Sequence, residues 1–80
     1  MKEIAFTSAA LRQWARLAAE VRDRIRPRLN DYAESGRGDV KKLRGRAGAR
    51  LRVGNWRVLF FEDKDVITVH AVGHRREIYE

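Results

Sequence analysis

Residues 50–61 read RLRVGNWRVLFF, and this stretch decides the fold. Apolar and basic residues alternate before a Gly-Asn dipeptide, which is typical of two-residue hairpin turns, and an aromatic and β-branched run follows it. With this turn, Val53 faces Trp56 across two antiparallel strands. In the next pair of the ladder, Arg52 faces Arg57. The sequence therefore predicts a β-hairpin with one apolar face and one basic face.

The two faces of this hairpin follow from the alternation of side chains along a strand. The face predicted to lie in the core carries Leu51, Val53, Trp56, Val58 and Phe60, and the other face carries Arg50, Arg52 and Arg57. A second two-residue turn at Asp63-Lys64 leads into a strand over residues 66–72. In that register His70 lies opposite Arg57. The core face then gains three residues of the last strand, Ile67, Val69 and Ala71.

The basic face has properties that folding alone does not favour. Like charges directly opposite each other, as at Arg52 and Arg57, destabilise a strand pair unless an anion lies between them. Further along, the same face carries an apolar group, Leu59, Phe61, Val66 and Val72. An open apolar patch on so small a chain suggests a protein partner. The alternative is that the segment after Val72 covers it.

The residues before the hairpin predict one strand and two helices. Residues 2–6 alternate as a short strand, and the Thr-Ser pair that follows supplies a helix N-cap. Apolar residues then recur at spacings of three and four, at Leu11, Trp14, Leu17, Val21, Ile25, Leu29 and Tyr32. The pattern favours two helices that separate near residues 18–20, with Pro27 as a kink or in a first turn and Gly36 past the last turn.

The segment over residues 38–48 contains three glycines and little apolar sequence, so we interpret it as a connecting loop. The order is then one strand, two helices and three strands, with no repeat or second domain. This order predicts a single α+β domain over residues 1–80. A small antiparallel sheet of β-α-α-β-β-β order carries both helices on one face.

The composition excludes several classes of protein. The 80 residues contain no cysteine, so we expect neither a disulfide framework nor a thiolate metal site, and two histidines alone do not make a zinc cage. We therefore expect no metal and no cofactor. The longest apolar runs are far too short to span a bilayer, and a charged Lys2-Glu3 stands where a signal peptide is apolar. We expect a soluble, cytoplasmic chain without a membrane partner.

The net charge of +7 lies in one stretch. Residues 37–57 contain eight basic residues and one acidic residue, whereas the rest of the chain has ten of each. A clustered excess of this kind indicates phosphate binding, and arginine pairs with phosphate oxygens bidentately. The candidate phosphate-binding residues are Lys41, Lys42, Arg44, Arg46, Arg50 and Arg52. We favour RNA as the polyanion, the alternative being a charged surface that only aids solubility.

Residues 73–79 read GHRREIY and concentrate hydrogen-bonding side chains directly after the last strand. His74 can transfer a proton near neutral pH, and Arg75 and Arg76 can hold phosphate. Tyr79 can stack on a base or act as a general acid or base. Each of these residues also has a structural alternative, such as a hydrophobic anchor for Tyr79. Together with the arginines of the hairpin, they favour a functional site.

Three blocks of the sequence resemble the RelE/ParE superfamily of bacterial toxins: GDVKKLRG at residues 38–45, RLRVGNWRV at 50–58 and GHRREIY at 73–79. The blocks have the order and spacing of the family, and the predicted order of elements is the family's own. The resemblance covers nearly the whole chain. It implies the toxin of a toxin–antitoxin pair, held inactive by a cognate antitoxin whose extended segment wraps the toxin.

The resemblance implies two alternative functions. RelE-like members cut messenger RNA in the ribosomal A site, whereas ParE-like members poison DNA gyrase and are not nucleases. The functional positions of the RelE pattern correspond here to Arg50, Arg52, Arg57, Arg75 and Tyr79. Each of them therefore carries a basic residue or the tyrosine of the pattern. We therefore favour an mRNA endoribonuclease with the ribosome and mRNA as partners. A gyrase poison is the alternative, and an inactive domain that binds RNA or its antitoxin is a third.

The chain departs from the RelE pattern at the general base. Where the RelE prototype relies on lysine, this strand has arginine, whose pKa above ~12 prevents it from acting as a base at neutral pH. His74 is the natural substitute. The predicted catalytic residues are therefore Arg57, His74, Arg75 and Tyr79, with the 2′-hydroxyl of the substrate as the nucleophile.

Overall fold

A computed structural model describes residues 1–78 of the chain. Strand β1 (Glu3–Phe6) is followed by helices α1 (Ser8–Arg16) and α2 (Ala19–Ser35). Four strands come next: β2 (Asp39–Lys42), β3 (Ala49–Val53), β4 (Trp56–Glu62) and β5 (Val66–His74). The predicted α+β class is confirmed, as is the order of one strand, two helices and then only strands.

The five strands form one sheet in the order β1-β5-β4-β3-β2. Strands β2 to β5 pair in antiparallel fashion, but β1 runs parallel to β5. The sheet is therefore mixed rather than wholly antiparallel as predicted. The parallel pair joins segments near the two ends of the described chain, and so distant a pairing leaves no local signal in either segment.

Strand β2 lies in the segment that was predicted to be a loop, and that prediction is wrong for residues 39–42. It is a short edge strand antiparallel to β3, with Val40 opposite Leu51. Val40 packs against the core, whereas the other three residues of the strand are charged and exposed. Charged side chains are typical of an exposed sheet edge, and here they conceal the alternation by which strands are predicted.

The helices begin and end as predicted. Thr7 is the N-cap of α1, and its hydroxyl accepts a hydrogen bond from the backbone N–H of Ala10 at 3.2 Å. The two helices separate at Ala18, and Pro27 lies inside α2. Gly36 follows α2 with a φ of 77°, a conformation that glycine adopts most readily. Within residues 1–78, neither helix is both long and apolar enough to cross a membrane.

The core lies between the two helices and one face of the sheet. The strands contribute the residues predicted from their alternation, Leu51, Val53, Val58, Phe60, Ile67 and Val69. Trp56 is half-buried against them, and Ile25 and Leu29 of α2 complete the interior. Complete burial of each large apolar side chain stabilises the fold by about 1.5–3 kcal/mol. This face holds the sheet against the helices.

The two turns between the last three strands differ in how well they were predicted. The β3–β4 hairpin has the predicted register. The β4–β5 turn is longer than predicted, because Glu62 pairs with Ile67 and four residues lie between them. Inside this turn the Asp63 carboxylate accepts the backbone N–H groups of Asp65 and Val66, at 2.8 Å each. Such bonds from an aspartate to the backbone that follows stabilise the wider turn.

A β-bulge interrupts β5 in the middle of the sheet. Phe60 of β4 pairs with Val69, but the preceding Leu59 pairs with Ala71. His70 is therefore an extra residue in β5 with no partner opposite it. One extra residue reverses the faces of the strand beyond it, because side chains alternate with a period of two.

Two predictions for β5 are wrong because of the wider turn and the bulge. The predicted pairing of His70 with Arg57 is wrong, because Gly73 lies opposite Arg57. The predicted core position of Ala71 is also wrong, since the reversed alternation brings Val72 into the core, where it is 3% exposed. Neither a wider turn nor a bulge can be recognised from the alternation of a single strand.

Candidate nucleic-acid interface

The sheet face turned away from the helices carries the predicted arginines, and we call it the arginine face. It is defined by Arg50 and Arg52 of β3 and Arg57 of β4. The alternation of these strands puts all three on the side opposite to the core residues Leu51 and Val58. The predicted grouping of the three arginines is therefore present.

Arg57 is buried, with 9% of its surface exposed. Its Nη1 donates hydrogen bonds to the backbone oxygens of Gly54 at 2.8 Å and Trp56 at 3.0 Å. These bonds fix the guanidinium at the β3–β4 turn. A guanidinium has five N–H donors in a rigid planar group, so bonds to two carbonyls hold the whole group in one orientation. The result is a positive charge held at a defined position.

Arg50 and Arg52 share an acidic neighbour, Asp39 of the edge strand β2. The Arg50 Nη1 lies 3.5 Å from Asp39 Oδ1, and the Arg52 Nε lies 4.0 Å from Asp39 Oδ2. The Arg52 side chain is 55% exposed and the Arg50 side chain 13%. The Arg52–Asp39 pair is long and exposed and contributes little, whereas the Arg50 Nη1 also donates to the Asp39 carbonyl oxygen at 3.3 Å. One carboxylate does not neutralise two guanidinium groups, so the face stays positive. Sequence reasoning missed Asp39, because its position depends on the unrecognised strand.

Arg52 and Arg57 are direct cross-strand partners, as predicted. Like charges in this arrangement destabilise a strand pair. The carbonyl oxygens around Arg57 and the carboxylate of Asp39 offset part of the repulsion. A phosphate bound on this face would offset more of it, since guanidinium groups pair bidentately with phosphate oxygens.

The two lysines of β2 lie on different sides of the sheet. Lys41 pairs with Arg50 and so belongs to the arginine face, whereas Lys42 pairs with Ala49 and lies on the opposite side. Both side chains are exposed. They are strand residues, not loop residues as predicted, and only Lys41 is added to the arginine face.

The connection between β2 and β3 carries Arg44 and Arg46, and both are exposed. Leu43 is buried, and its N–H donates to the Gly48 carbonyl at 3.1 Å. This bond continues the pairing of β2 with β3 by one step, so the connection closes as a hairpin loop between these two residues. A Cβ at Gly48 would lie 2.9 Å from the carbonyl oxygen of Phe60. Glycine at this position therefore lets the connection lie directly on β4, at the end of the arginine face remote from the β3–β4 turn.

His74, at the end of β5, lies on the other side of the sheet from the arginine face. It pairs with Trp56, and the two rings meet edge to face with their centroids 5.3 Å apart. Its Nδ1 accepts the backbone N–H of Arg76 at 3.2 Å. The bulge at His70 causes this placement, because it reverses the alternation of β5. The structure therefore does not bring the predicted base together with Arg57.

The segment after β5 starts beside the hairpin. Arg75 is exposed, and its backbone N–H donates to the carbonyl of Asn55 in the β3–β4 turn at 2.8 Å. Ile78 then lies against Gly73, where a Cβ would come within 3.3 Å of Ile78 Cδ1. Tyr79, the fourth predicted catalytic residue, lies outside the described residues.

The apolar group predicted on the arginine face is only partly open. Leu59 is 3% exposed, and Val72 belongs to the core instead. Phe61 is 46% exposed, and its ring stacks on His70 with centroids 4.4 Å apart and planes at 23°. Burial and the nearby charge of Arg46 both lower the pKa of His70, which favours a neutral imidazole. Sequence reasoning missed this pair, because the bulge that creates it has no local signature.

The cationic residues of the arginine face begin with Arg57, next to the β3–β4 turn, and continue toward the β2–β3 connection, which carries Arg46. Between them β4 spans seven residues, or about 23 Å at the rise of an extended strand. A positive band of this length can bind several phosphates of a single strand. Its N–H donors can also stabilise negative charge that develops on a reacting phosphate.

Comparison with known proteins assigns the family. Residues 4–79 match the family described as ParE toxin of type II toxin-antitoxin system, parDE. The chain is also 32% identical over 81 residues to the mRNA interferase toxin RelE of Escherichia coli strain K12, an alignment that covers 92% of this chain and 85% of the relative.

Solved structures show the same fold. The RelB-RelE antitoxin-toxin complex from Methanococcus jannaschii contains a chain with a TM-score of 0.76 and 26% identity, and the match covers 94% of each chain. The intact E. coli RelBE toxin-antitoxin complex gives a TM-score of 0.71 and 28% identity, over 92% of this chain and 96% of that one. The chain therefore belongs to the RelE/ParE superfamily of toxins of type II toxin–antitoxin systems.

Proposed function

We propose that this toxin inhibits translation as a ribosome-dependent mRNA endoribonuclease. The observation that carries the proposal is its 32% identity, over 92% of the chain, to a protein named an mRNA interferase toxin. The arginine face supports it, since this face combines exposed cations for phosphates with a buried, fixed guanidinium at Arg57.

Cleavage in this proposal uses the substrate's own 2′-hydroxyl. That oxygen attacks the adjacent phosphorus, a base takes its proton, and the 5′-oxygen leaves with a proton from an acid. Arg57 and Arg75 stabilise the negative charge of the phosphorane, and Arg50 and Arg52 bind the flanking phosphates. DNA lacks the 2′-hydroxyl and is not a substrate for this reaction.

Four further basic residues serve to position the RNA through its backbone. Contacts to phosphates fix the register of a nucleic acid without reading its sequence. The residues proposed for this role are Lys41, Lys42, Arg44 and Arg46. Because Lys42 lies on the other side of the sheet from Lys41, we expect it to contribute the least.

The proton transfer requires a change in the segment after β5. His74 is the proposed base, and Tyr79 stacks on the RNA or orients it. In the structure the Nδ1 of His74 is already an acceptor for the Arg76 N–H. For His74 to take a proton from the substrate, that bond breaks and the imidazole turns toward the arginine face. The proposal therefore includes a rearrangement of residues 74–78 when RNA binds.

The proposed partners are a cognate antitoxin, the ribosome and mRNA, in the cytoplasm. The similar chains of M. jannaschii and E. coli were solved as toxin–antitoxin complexes, which supports the first partner. Coexpression with the neighbouring open reading frame tests it. The product of that frame should relieve toxicity and copurify with the toxin, and failure of both would contradict the assignment of an antitoxin.

The nuclease is tested by mapping the 5′ ends of mRNA in cells that express the toxin. Wild type should give cuts in phase with codons. Arg52→Ala, Arg75→Ala and Tyr79→Phe should each reduce cutting, by about 100-fold where the lost group stabilises the transition state. Arg24→Ala is the matched control, because it removes an exposed arginine of α2 remote from the arginine face.

A DNA gyrase poison is the second candidate, because the matching family is named for ParE toxins. In that case the arginine face contacts protein or DNA and the residues after β5 are structural. Supercoiling by purified gyrase separates the two functions. Blocked supercoiling together with intact messages would reject the nuclease in favour of the poison.

A further inference from the structure

Phe61 has no role in phosphate binding or catalysis as proposed above. It belongs to the arginine face by the alternation of β4, four residues beyond Arg57. It is also one of few large apolar side chains that are exposed among residues 1–78, at 46%. A single exposed apolar side chain is common on protein surfaces, so the contacts that hold this ring decide whether it has a function.

Two backbone irregularities hold the ring in place. The bulge in β5 directs His70 against it, with ring centroids 4.4 Å apart. On another side, Gly48 brings the β2–β3 connection close, since a Cβ at this glycine would lie 3.2 Å from Phe61 Cδ1. Bulges often redirect side chains next to functional sites. The ring is thus supported by His70 and by the connection, while nearly half of its surface stays open.

The surroundings of the pair favour a polyanion over an apolar peptide. Arg46 of the β2–β3 connection is close enough to act on the charge of His70, and Arg44 lies two residues earlier on the same connection. The Nε2 of His70 is buried and has no hydrogen-bond partner among the described residues. An imidazole stacked on the ring and a cation beside the pair are the components of a site for an unpaired base and its phosphates.

We propose that Phe61, supported by His70, is a stacking platform for an unpaired RNA base. The platform lies about 13 Å along β4 from Arg57. This inference rests on the proposed function, which supplies mRNA as the substrate. It adds a stacking position distinct from Tyr79. Arg44 and Arg46 bind the phosphates next to the stacked base. Because every base has a π-face, the platform fixes the register of the RNA without selecting its sequence.

Fluorescence anisotropy of the purified toxin with a labelled ten-nucleotide oligoadenylate RNA tests this platform. Phe61→Leu keeps an apolar side chain but removes the ring, whereas Phe61→Tyr keeps the ring. We expect Phe61→Leu to weaken binding by about tenfold and Phe61→Tyr by less than about twofold. The slope of affinity against salt should not change in either variant, since no phosphate contact is lost.

The same RNA with one abasic residue, moved through each position in turn, identifies the stacked base. One position should weaken wild-type binding by the same factor as Phe61→Leu and have no effect on that variant. Arg24→Ala should bind like wild type within about twofold, because its charge is remote from the platform. Near-UV circular dichroism and thermal melting establish that each variant is folded.

Several results would overturn the platform: equal affinity of wild type and Phe61→Leu, no sensitive abasic position, or no measurable RNA binding by wild type. If Phe61→Leu loses a copurifying antitoxin but keeps its RNA affinity, the surface is a protein interface and the platform is rejected. The nuclease is judged separately by mRNA 5′ ends. If Phe61→Leu weakens RNA binding but the wild-type toxin does not cut mRNA, only the nuclease is rejected. If Phe61→Leu changes neither RNA affinity nor cleavage, only the platform is rejected.

Discussion

The two faces of the sheet are made by the same strands, yet they meet different constraints. On the helix side, Val58 and Phe60 are at most 1% exposed and belong to one continuous core. One residue along the chain, Arg57 and Phe61 lie on the arginine face, where like charges oppose each other and an aromatic ring stays open. The difference indicates that stability comes mainly from one face, and that the other is free to keep arrangements that folding alone disfavours.

The adjacent phenylalanines of β4 give the sharpest test of this contrast. Phe60→Ala should cost about 3–5 kcal/mol of unfolding free energy, because it empties a fully buried site. Phe61→Ala should cost less than about 1.5 kcal/mol, mostly from the lost stacking on His70. Urea denaturation measures both. Similar losses for the two variants would show that both faces carry the core.

Arg57 and Arg52 test whether the arginine face itself is uniform. Arg57→Ala should destabilise the fold by about 1.5–3 kcal/mol, because the carbonyls of Gly54 and Trp56 lose a charged donor. Arg52→Ala should change stability by less than about 0.5 kcal/mol, since its pair with Asp39 is long and exposed and its repulsion of Arg57 disappears. The midpoints of urea unfolding compare them. An equal loss in both variants would contradict a structural role specific to Arg57.

Gly48 tests how tightly the β2–β3 connection lies on the sheet. Gly48→Ala should cost about 1–3 kcal/mol, because its φ of 101° is strained for alanine and the new Cβ would meet the Phe60 carbonyl. Gly45→Ala, with a φ of 69° and open space around it, should cost about 1 kcal/mol. Thermal melting distinguishes them. If Gly45→Ala were the more damaging, the connection would not lie on β4 as described.

A small effect that depends on pH is expected on the helix side at the end of β4, where Glu62 accepts hydrogen bonds from Lys2 and Tyr32, both at 2.6 Å. Burial raises the pKa of Glu62, but the hydrogen bonds from Lys2 and Tyr32 and the charge of Lys2 together lower it by more, so the net shift is downward. Its contribution is therefore present above the unfolded pKa of 4.5 and is lost as the pH falls through the folded value. Glu62→Gln should cost less than about 1 kcal/mol at neutral pH.

Tyr32 extends this pH dependence to the alkaline side. Burial and then Glu62 raise the pKa of Tyr32 to about 12. The stability that comes from the neutral form of Tyr32 is complete below its ordinary pKa of 10.0 and disappears as the pH rises through about 12.

Urea denaturation as a function of pH tests the network at Glu62. The unfolding free energies of the wild type and Glu62→Gln should converge in acid. A constant difference between them would contradict the network.

The hairpin and the helices were predictable because their signals are local. A Gly-Asn turn fixes the pairing of Arg52 with Arg57, and spacings of three and four fix the buried side of α2. The edge strand β2 was missed, since three of its four residues are charged. The parallel pairing of β1 was missed because its partner is far away in the sequence.

The sheet face of each candidate site residue was predictable only where side chains alternate without interruption along the strands, which is before the bulge at His70. Arg50, Arg52 and Arg57 precede the bulge, so their common face was predicted correctly. His74 follows the bulge, and the extra residue at His70 carries it to the side of Trp56. A bulge depends on packing between strands, which a single strand does not encode.

The strand order also has a consequence for how the toxin is made. β1 leaves the ribosome first, but it pairs only with β5 among the described strands, and β5 is the last to be synthesised. The sheet cannot close until residues 66–74 have left the exit tunnel. Because pairing between distant segments is slow, β1 remains without its parallel partner until β5 has been synthesised and has docked beside β4.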